Sequence, residues 1–281
     1  MTLGEVLRRA NAHLAARGSE TPRLDAELLL AHTLGRSRIE LYTDFDRPLN
    51  GTELARYRAL VARRSRHEPV AYILGEWGFR RLTLRVDRRA LIPRPETEMV
   101  VERALARLRG RARPDVLDVG TGTGAIAIAL WDEHPGCTLT AIDVSPDAVA
   151  LACENAAAAG AELTLLEHDL RTGLPGGPYD LVVSNPPYVA AEELARLMPD
   201  VRDYEPHVAL VGEGVTEAVA TEAREVLRPG GWLVLEVGDD QAQDAFALLR
   251  ELGYLEPTIT RDLAGRERVV EARWGGDGAG G

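Results

Sequence analysis

The feature that most constrains this chain is an alternation of two periodicities. From Asp115 onward, short apolar runs of strand length alternate with segments long enough for a helix. Residues 116–119, 138–142, 163–166, 181–184 and 232–237 read as strands; residues 125–131, 146–158, 215–227 and 241–252 read as helices. Strand followed by helix, repeated, means a mostly parallel sheet covered on both faces, an α/β doubly wound fold. In such sheets ligands bind beyond the carboxyl ends of the strands, so the residues following each strand come first in the search for function.

The first seventy residues have no strand signal. Thr2 and Glu5 have capping-box spacing, and Leu3, Val6, Leu7, Ala10 and Leu14 then recur on one face until Gly18. Thr21-Pro22 opens a second helix running to Gly35, residues 38–42 form a short helical piece, and Thr52 opens another. Residues 1–70 are therefore expected to be a small helical domain. Leu82, Leu84 and Val86 alternate with Thr83 and Arg85, and residues 71–90 are read as a β-hairpin linker. A helix from about residue 97 to 108 follows, residues 91–274 form the sheet domain, and the glycine-rich residues 275–281 are read as a flexible tail.

Charge is divided along the same line. Residues 1–90 carry 17 Arg against 11 acidic residues, whereas residues 91–281 carry 16 against 33, within a formal total of −11. An acidic protein does not suit general nucleic-acid coating, which needs net positive charge to displace phosphate counterions. All 33 basic residues are Arg, read as compositional bias. No apolar stretch approaches the roughly 18 residues of a membrane helix. The start shows no signal-peptide core, so a cytoplasmic protein is expected. Cys137 and Cys153 offer no disulfide framework and are read as buried thiols, and the six histidines lack metal-ligand spacing, so no metal is expected.

Directly after the first strand of the alternation stands Gly120-Thr121-Gly122-Thr123-Gly124. Glycines there allow a tight turn and let a ligand approach backbone N–H groups, but the Lys-Ser/Thr of a phosphate loop is missing. The next strand ends in Asp143, where a carboxylate accepts from a ribose diol. The third is followed by His168-Asp169-Leu170, where Asp169 could accept from an adenine amino group. Adenosine without phosphates fits such a pocket, and S-adenosylmethionine is a ligand of that kind.

The fourth strand ends in Ser184-Asn185-Pro186-Pro187-Tyr188. Asn185 offers its amide carbonyl and Pro186 a backbone carbonyl, two acceptors side by side for a planar –NH₂ group. Tyr188 offers a flat face to stack on it. Such a nitrogen is a poor nucleophile because its lone pair is delocalised. Two fixed acceptors favour the pyramidal geometry that frees the pair, and they bind more strongly as positive charge develops.

These motifs together resemble class I S-adenosylmethionine-dependent methyltransferases with a Rossmann-like sheet. Residues 66–75 (Arg-His-Glu-Pro-Val-Ala-Tyr-Ile-Leu-Gly), 91–98 (Leu-Ile-Pro-Arg-Pro-Glu-Thr-Glu) and 200–206 (Asp-Val-Arg-Asp-Tyr-Glu-Pro) narrow the resemblance to the peptide chain release factor glutamine methyltransferases, the PrmC/HemK family. That resemblance implies methylation of the glutamine amide nitrogen in the Gly-Gly-Gln loop of class I release factors. It implies cofactor contacts from Gly120 to Gly124, Asp143, Asp169, Leu170 and Asn185, and a glutamine held by Asn185, Pro186, Pro187 and Tyr188, with Asn185, Pro186 and Tyr188 catalytic. Leu170 stands where family members often have an aromatic residue, so packing against adenine is expected there in place of stacking. Residues 1–70 would dock the release factor, and a monomer with neither stable nucleic-acid binding nor membrane attachment is expected.

Two other functions compete. An adenine-N6 nucleic-acid methyltransferase would use the same tetrapeptide, but the acidic residues 91–281 and the lack of a basic recognition domain oppose it. A non-catalytic cofactor-binding or ribosome-associated module would have no use for the amide cradle. Arg94 and Glu96 are left between an ion pair joining domains and a pocket wall, and Arg63, Arg64 and Arg66 are read as a solvated helix face.

Overall fold

The computed structural model describes residues 1–276. The protein divides into two compact units, one of residues Met1–Glu76 with Met198–Tyr204, the other of Trp77–Leu197 with the residues from Glu205 onward.

The first unit is helical: α1 (Leu3–Ala16), α2 (Pro22–Leu34), α3 (Arg38–Thr43), α4 (Gly51–Arg64) and α5 (Val70–Leu74). Its helix starts are written in the sequence as capping boxes. Thr2 and Glu5 cap α1 reciprocally, and Ser37 with Glu40 and Asn50 with Glu53 do the same for α3 and α4. Each such cap contributes about 1 kcal/mol. The α4 cap is thus Asn50 rather than Thr52. Leu3, Leu14, Leu29, Leu30 and Leu41 are fully buried between the helices, worth about 1.5–3 kcal/mol apiece.

Two expectations are corrected in this unit. Residues 71–74 are not hairpin but helix: Pro69 precedes the first turn of α5, and Gly75 at φ +78° ends it in the left-handed region. Arg64 is not solvated. Its Nε donates to Asp25 Oδ2 at 2.6 Å and its Nη1 lies 3.3 Å from Asp200 Oδ2, with Arg64 and Asp25 both buried. A buried carboxylate needs such partners, and Asp25 also accepts from the hydroxyls of Ser19 and Thr21. Arg63 pairs with Glu68 at 2.6 Å.

The hairpin itself is β1 (Glu76–Phe79) and β2 (Leu82–Arg85). There follow α6 (Thr97–Leu108), β3 (Asp115–Val119), α7 (Ala125–Glu133), β4 (Thr138–Asp143), α8 (Pro146–Ala159), β5 (Thr164–Glu167), β6 (Tyr179–Ser184), α9 (Pro199–Arg202), α10 (Val215–Val226), β7 (Leu227–Glu236), α11 (Ala242–Glu251), β8 (Leu255–Arg261) and β9 (Glu267–Arg273). Seven strands form one sheet in the order β5-β4-β3-β6-β7-β9-β8, with the first five parallel and β9 and β8 antiparallel at the edge. The α/β fold matches the sequence reading, but the β8–β9 hairpin was not read from it. Of the tail assigned to residues 275–281, residues 277–281 lie outside the described residues.

Successive strand residues point to opposite faces, and each face has its own core. Leu117, Val182 and Leu233 pack with Val219, Ala220 and Ala223 of α10 and Leu249 of α11. Val116, Val183 and Val234 pack on the other face with Val100, Val101 and Ala104 of α6 and Ile128 of α7. Asp180 and Glu271, buried inside the sheet domain, are held by guanidinium groups. Glu271, fully buried, accepts from Arg103 and Arg107, and the latter lies 3.8 Å above the Trp232 ring. Cys153 departs from expectation: it is exposed, because α8 turns Leu151, Ala152, Asn155 and Ala156 inward instead. Cys137 is half-buried.

Candidate active site

The order β3, β4, β5 runs outward in one direction from β3, whereas β6 adds on the other side, so β3 and β6 flank the switch point of the sheet. Register brings the strand ends level: Val119 pairs with Ile142 on one side and Ser184 on the other, and Ser184 pairs with Leu235. The Ser184 hydroxyl donates to Val119 O at 2.7 Å, locking this junction. Gly120, Asp143, Asn185 and Glu236 are each the residue at or just past such an end.

Above them lies a cavity of about 490 Å³, within the range of small-molecule sites. Of the residues expected to act, Gly120, Thr121, Gly122, Thr123, Asp143, Asp169, Leu170, Asn185, Pro186 and Pro187 line it. Gly124 and Tyr188 are not among its lining residues.

The glycines divide by role. Gly120 and Gly122 have φ of +75° and +56°, and a Cβ would meet nothing within 4 Å at Gly120 and only Ala90 Cβ at 3.9 Å at Gly122. Space is left in front of these backbone groups. A Cβ at Gly124 would come within 2.9 Å of Ile128 Cδ1, so that glycine serves the packing of α7. The turn is tied down by backbone bonds: Gly120 N and Thr121 N both donate to Ile142 O at 2.9 Å. Asn155 was missed at the sequence level and adds to this, donating from Nδ2 to Thr123 O at 2.9 Å and to Arg85 O at 3.0 Å.

Asp143 is held in the same manner. Its Oδ2 accepts from Gly122 N and its Oδ1 from Ser145 N, both at 2.9 Å. Burial raises its affinity for a proton, against the lowering effect of the Ser145, Gly122 and Val144 N–H groups. The carboxylate keeps acceptor capacity beyond these bonds for a ligand hydroxyl. Behind the turn, fully buried Asp118 accepts from the Thr121 hydroxyl at 2.7 Å, and burial pushes its carboxyl up to about 7.

Asp169 is differently placed. Arg171 grips its carboxylate, with Nη2 at 2.6 Å, and holds it down to about 2. Leu170 beside it gives an apolar wall packed against the core. Arg94 and Arg171 are the guanidinium groups on the wall, and both are engaged, Arg94 with Glu205 at 2.7 Å. Arg94 is therefore both pocket wall and ion-pair partner, and Glu205 belongs to the same unit. With each cation answered by a carboxylate, an adenosine-type ligand fits this wall better than a polyphosphate.

At the Asn185 end, Nδ2 donates to Thr97 Oγ1 at 3.1 Å, which leaves the amide carbonyl for the cavity that Asn185 lines. Pro187 is braced by Gly212, where a Cβ would lie 2.3 Å from the Pro187 carbonyl oxygen. Tyr188 turns instead toward the loop after β7, where its backbone oxygen accepts from Gln241 Nε2 at 2.9 Å; burial pushes its phenol up to about 12. Val208 and Gly212 also line the cavity but carried no motif in the sequence, and Thr97, within the 91–98 segment, had no role assigned there. Among the described residues, no group of three His, Cys, Asp or Glu side chains is placed to hold a metal ion.

Fold and cavity together define the protein as a Rossmann-like methyltransferase. The hMettl16 catalytic domain, solved in complex with the MAT2A 3'UTR hairpin 6, shares the fold at a TM-score of 0.53 and 19% identity, covering 68% of this chain and 74% of that one. The PrmC N-terminal domain model matches residues 5–75 and the methyltransferase small domain model residues 97–199. The release factor glutamine methyltransferase of Geobacter sulfurreducens is 42% identical over 98% of this chain and 97% of its own length. The same-named protein of Deinococcus radiodurans is 41% identical over 98% of this chain and 100% of its own. This chain belongs to the release factor glutamine methyltransferase family.

Proposed function

We propose that this protein transfers a methyl group from S-adenosylmethionine to the side-chain amide nitrogen of the glutamine in the Gly-Gly-Gln loop of class I peptide chain release factors. The observation that carries this reading is Asn185, its Nδ2 engaged by Thr97, lining the cavity beside Pro186 and one strand away from the Gly120–Gly122 turn. When bound, S-adenosylmethionine supplies an electrophilic methyl group on a sulfonium. Asp143 would accept from its ribose hydroxyls, Leu170 would pack on its adenine, Asp169 would bound the adenine edge, and Gly120 to Thr123 would leave it room.

Asn185 Oδ1 and the Pro186 carbonyl accept from the two N–H bonds of the glutamine amide, holding it with its lone pair toward the methyl group. Pro187 and Tyr188 stiffen the turn that carries them. The nitrogen forms its bond to the methyl carbon as the carbon–sulfur bond breaks, with that electron pair leaving on sulfur. The positive nitrogen then sheds one proton to water, so no strong base is needed. Residues 1–70 are assigned to docking of the release factor and residues 91–274 to catalysis. The compartment assigned is the cytoplasm, and among the described residues no helix is long and apolar enough to cross a membrane.

The test is incubation with methyl-labelled S-adenosylmethionine and, separately, an intact release factor, a Gly-Gly-Gln peptide, DNA and RNA. Label is expected on the glutamine of the intact factor, more slowly on the peptide, and on neither nucleic acid. Label on adenine in DNA or RNA, with none on the factor, would overturn the reading. Removal of residues 1–70 should slow methylation of the intact factor more than that of the peptide.

A further inference from the structure

An asparagine amide has two ends of nearly equal shape, and only one of them suits this reaction. Turned about, Asn185 would point N–H bonds at the N–H bonds of its substrate. What holds it the right way round is Thr97, within the 91–98 segment, and Glu236, outside every motif of the sequence. Thr97 opens α6, is buried at 4% exposure, and its Oγ1 takes the Asn185 Nδ2–H bond. Thr97 in turn hydrogen-bonds Glu236, the last residue of β7, itself 2% exposed. Sheet register accounts for the meeting: Ser184 pairs with Leu235, so Asn185 and Glu236 follow level strand ends. Glu236 has its other oxygen, Oε2, without a hydrogen-bond partner among the described residues, an expensive state for a buried carboxylate and one that calls for a reason.

We propose that Glu236 and Thr97 are positioning residues that fix which end of the Asn185 amide faces the substrate. A carboxylate only accepts, so Glu236 takes the one hydroxyl proton of Thr97. The hydroxyl then has only lone pairs to offer, and Asn185 must meet it with Nδ2 and turn Oδ1 into the cavity. A protonated Glu236 can itself donate to Thr97. The hydroxyl proton is then free to seek the Asn185 oxygen, and the flipped amide is no longer excluded.

The charges around Glu236 permit that protonation. Glu96 disfavours its charge, while Arg268 and Arg94 favour it; Arg268 is engaged by Asp239 and by Asp262 at 3.4 Å, and Arg94 by Glu205. The Tyr188 phenol also faces it and stays neutral. Burial outweighs these partners and pushes the carboxyl up to about 7. The carboxylate form therefore prevails above that pH and the protonated form below it, so turnover should fall on the acid side.

The proposal rests on the glutamine-methylation reading, and the experiment separates the two. Single-turnover methylation of a release factor at saturating S-adenosylmethionine is followed from pH 5.5 to 9, a span chosen to bracket about 7, for the parent, T97V, T97S and E236Q. T97V keeps the branched shape but leaves the Asn185 donor without its acceptor; its turnover should fall about tenfold or more while cofactor affinity is kept. T97S retains the hydroxyl and should stay within about threefold of the parent. E236Q cannot titrate and should lose the acid-side fall seen in the parent. Equal losses in T97V and T97S, or an acid limb unchanged in E236Q, would overturn the relay alone. A parent that methylates no release factor overturns the reading and the relay with it.

Discussion

At the Gly120–Gly122 end of the cavity the groups that meet a ligand are held by the backbone, whereas at the Asn185 end they are held by side chains. Asp143 takes its position from the N–H groups of Gly122 and Ser145, and the turn hangs from Ile142 O. Asn185 takes its orientation from a threonine hydroxyl and, through it, from a glutamate on another strand. The first arrangement persists whatever the neighbouring side chains are. The second exists only while particular side chains do. On the proposed function, binding is thereby built into the path of the backbone, and chemistry into replaceable groups.

That contrast can be broken by substitutions that separate affinity from turnover. The largest effect is expected at Asn185→Ala, which deletes one acceptor whose bond strengthens in the transition state. Turnover of the release factor at saturating cofactor should fall on the order of 10²–10³-fold, with cofactor affinity lowered far less. Single-turnover kinetics within about threefold of the parent would show that another group frees the amide nitrogen.

Asp143→Ala should give the reverse pattern. It removes charge-assisted acceptance from a ribose diol, worth on the order of 1.5–3 kcal/mol, so calorimetry should find affinity weakened about 10- to 100-fold. Turnover at saturating cofactor should remain near the parent value. An unchanged affinity would take Asp143 out of the binding site.

The smallest effect is expected at Asp169→Ala. Its carboxylate already faces Arg171 and water, and exposed partners of that kind exchange with solvent at little cost. Affinity should change by no more than about threefold. A loss as large as that at Asp143 would mean that the carboxylate leaves Arg171 for the ligand, and would place side chains in charge at both ends.

The same contrast explains what could be read without a structure. Gly120, Asp143, Asn185 and Pro186 were legible because each closes a strand, and strand ends share one edge of a parallel sheet. Thr97 and Glu236 were not, since their meeting depends on sheet order and register between segments far apart in sequence. The β8–β9 hairpin escaped although Leu255 to Ile259 alternate partly buried and exposed positions, because Pro257 inside the run tells against a strand except at a sheet edge, where β8 lies. Arg64 escaped because only the fold brings Asp25 and Asp200 to it. Gly124 and Tyr188 show the opposite error, in which a motif's contiguous residues are credited with one task. The last glycine packs a helix, and the tyrosine braces the loop after β7.

The junction of Val119 with Ser184 joins residues 65 positions apart through a parallel pair. Contacts of such separation carry a larger closure cost than local ones, because a long loop must close before any bond compensates for it. A protein that has folded only through β5 has the glycine turn and Asp143 but neither Asn185 nor the wall that encloses the ligand. A partly folded or locally opened form should therefore bind S-adenosylmethionine poorly. Ligand binding then adds its full linkage term to the stability of the completed sheet, about 2.7 kcal/mol at a hundredfold excess over Kd. A cell rich in the cofactor would keep this protein out of reach of proteases that attack opened forms, and one depleted of it would not.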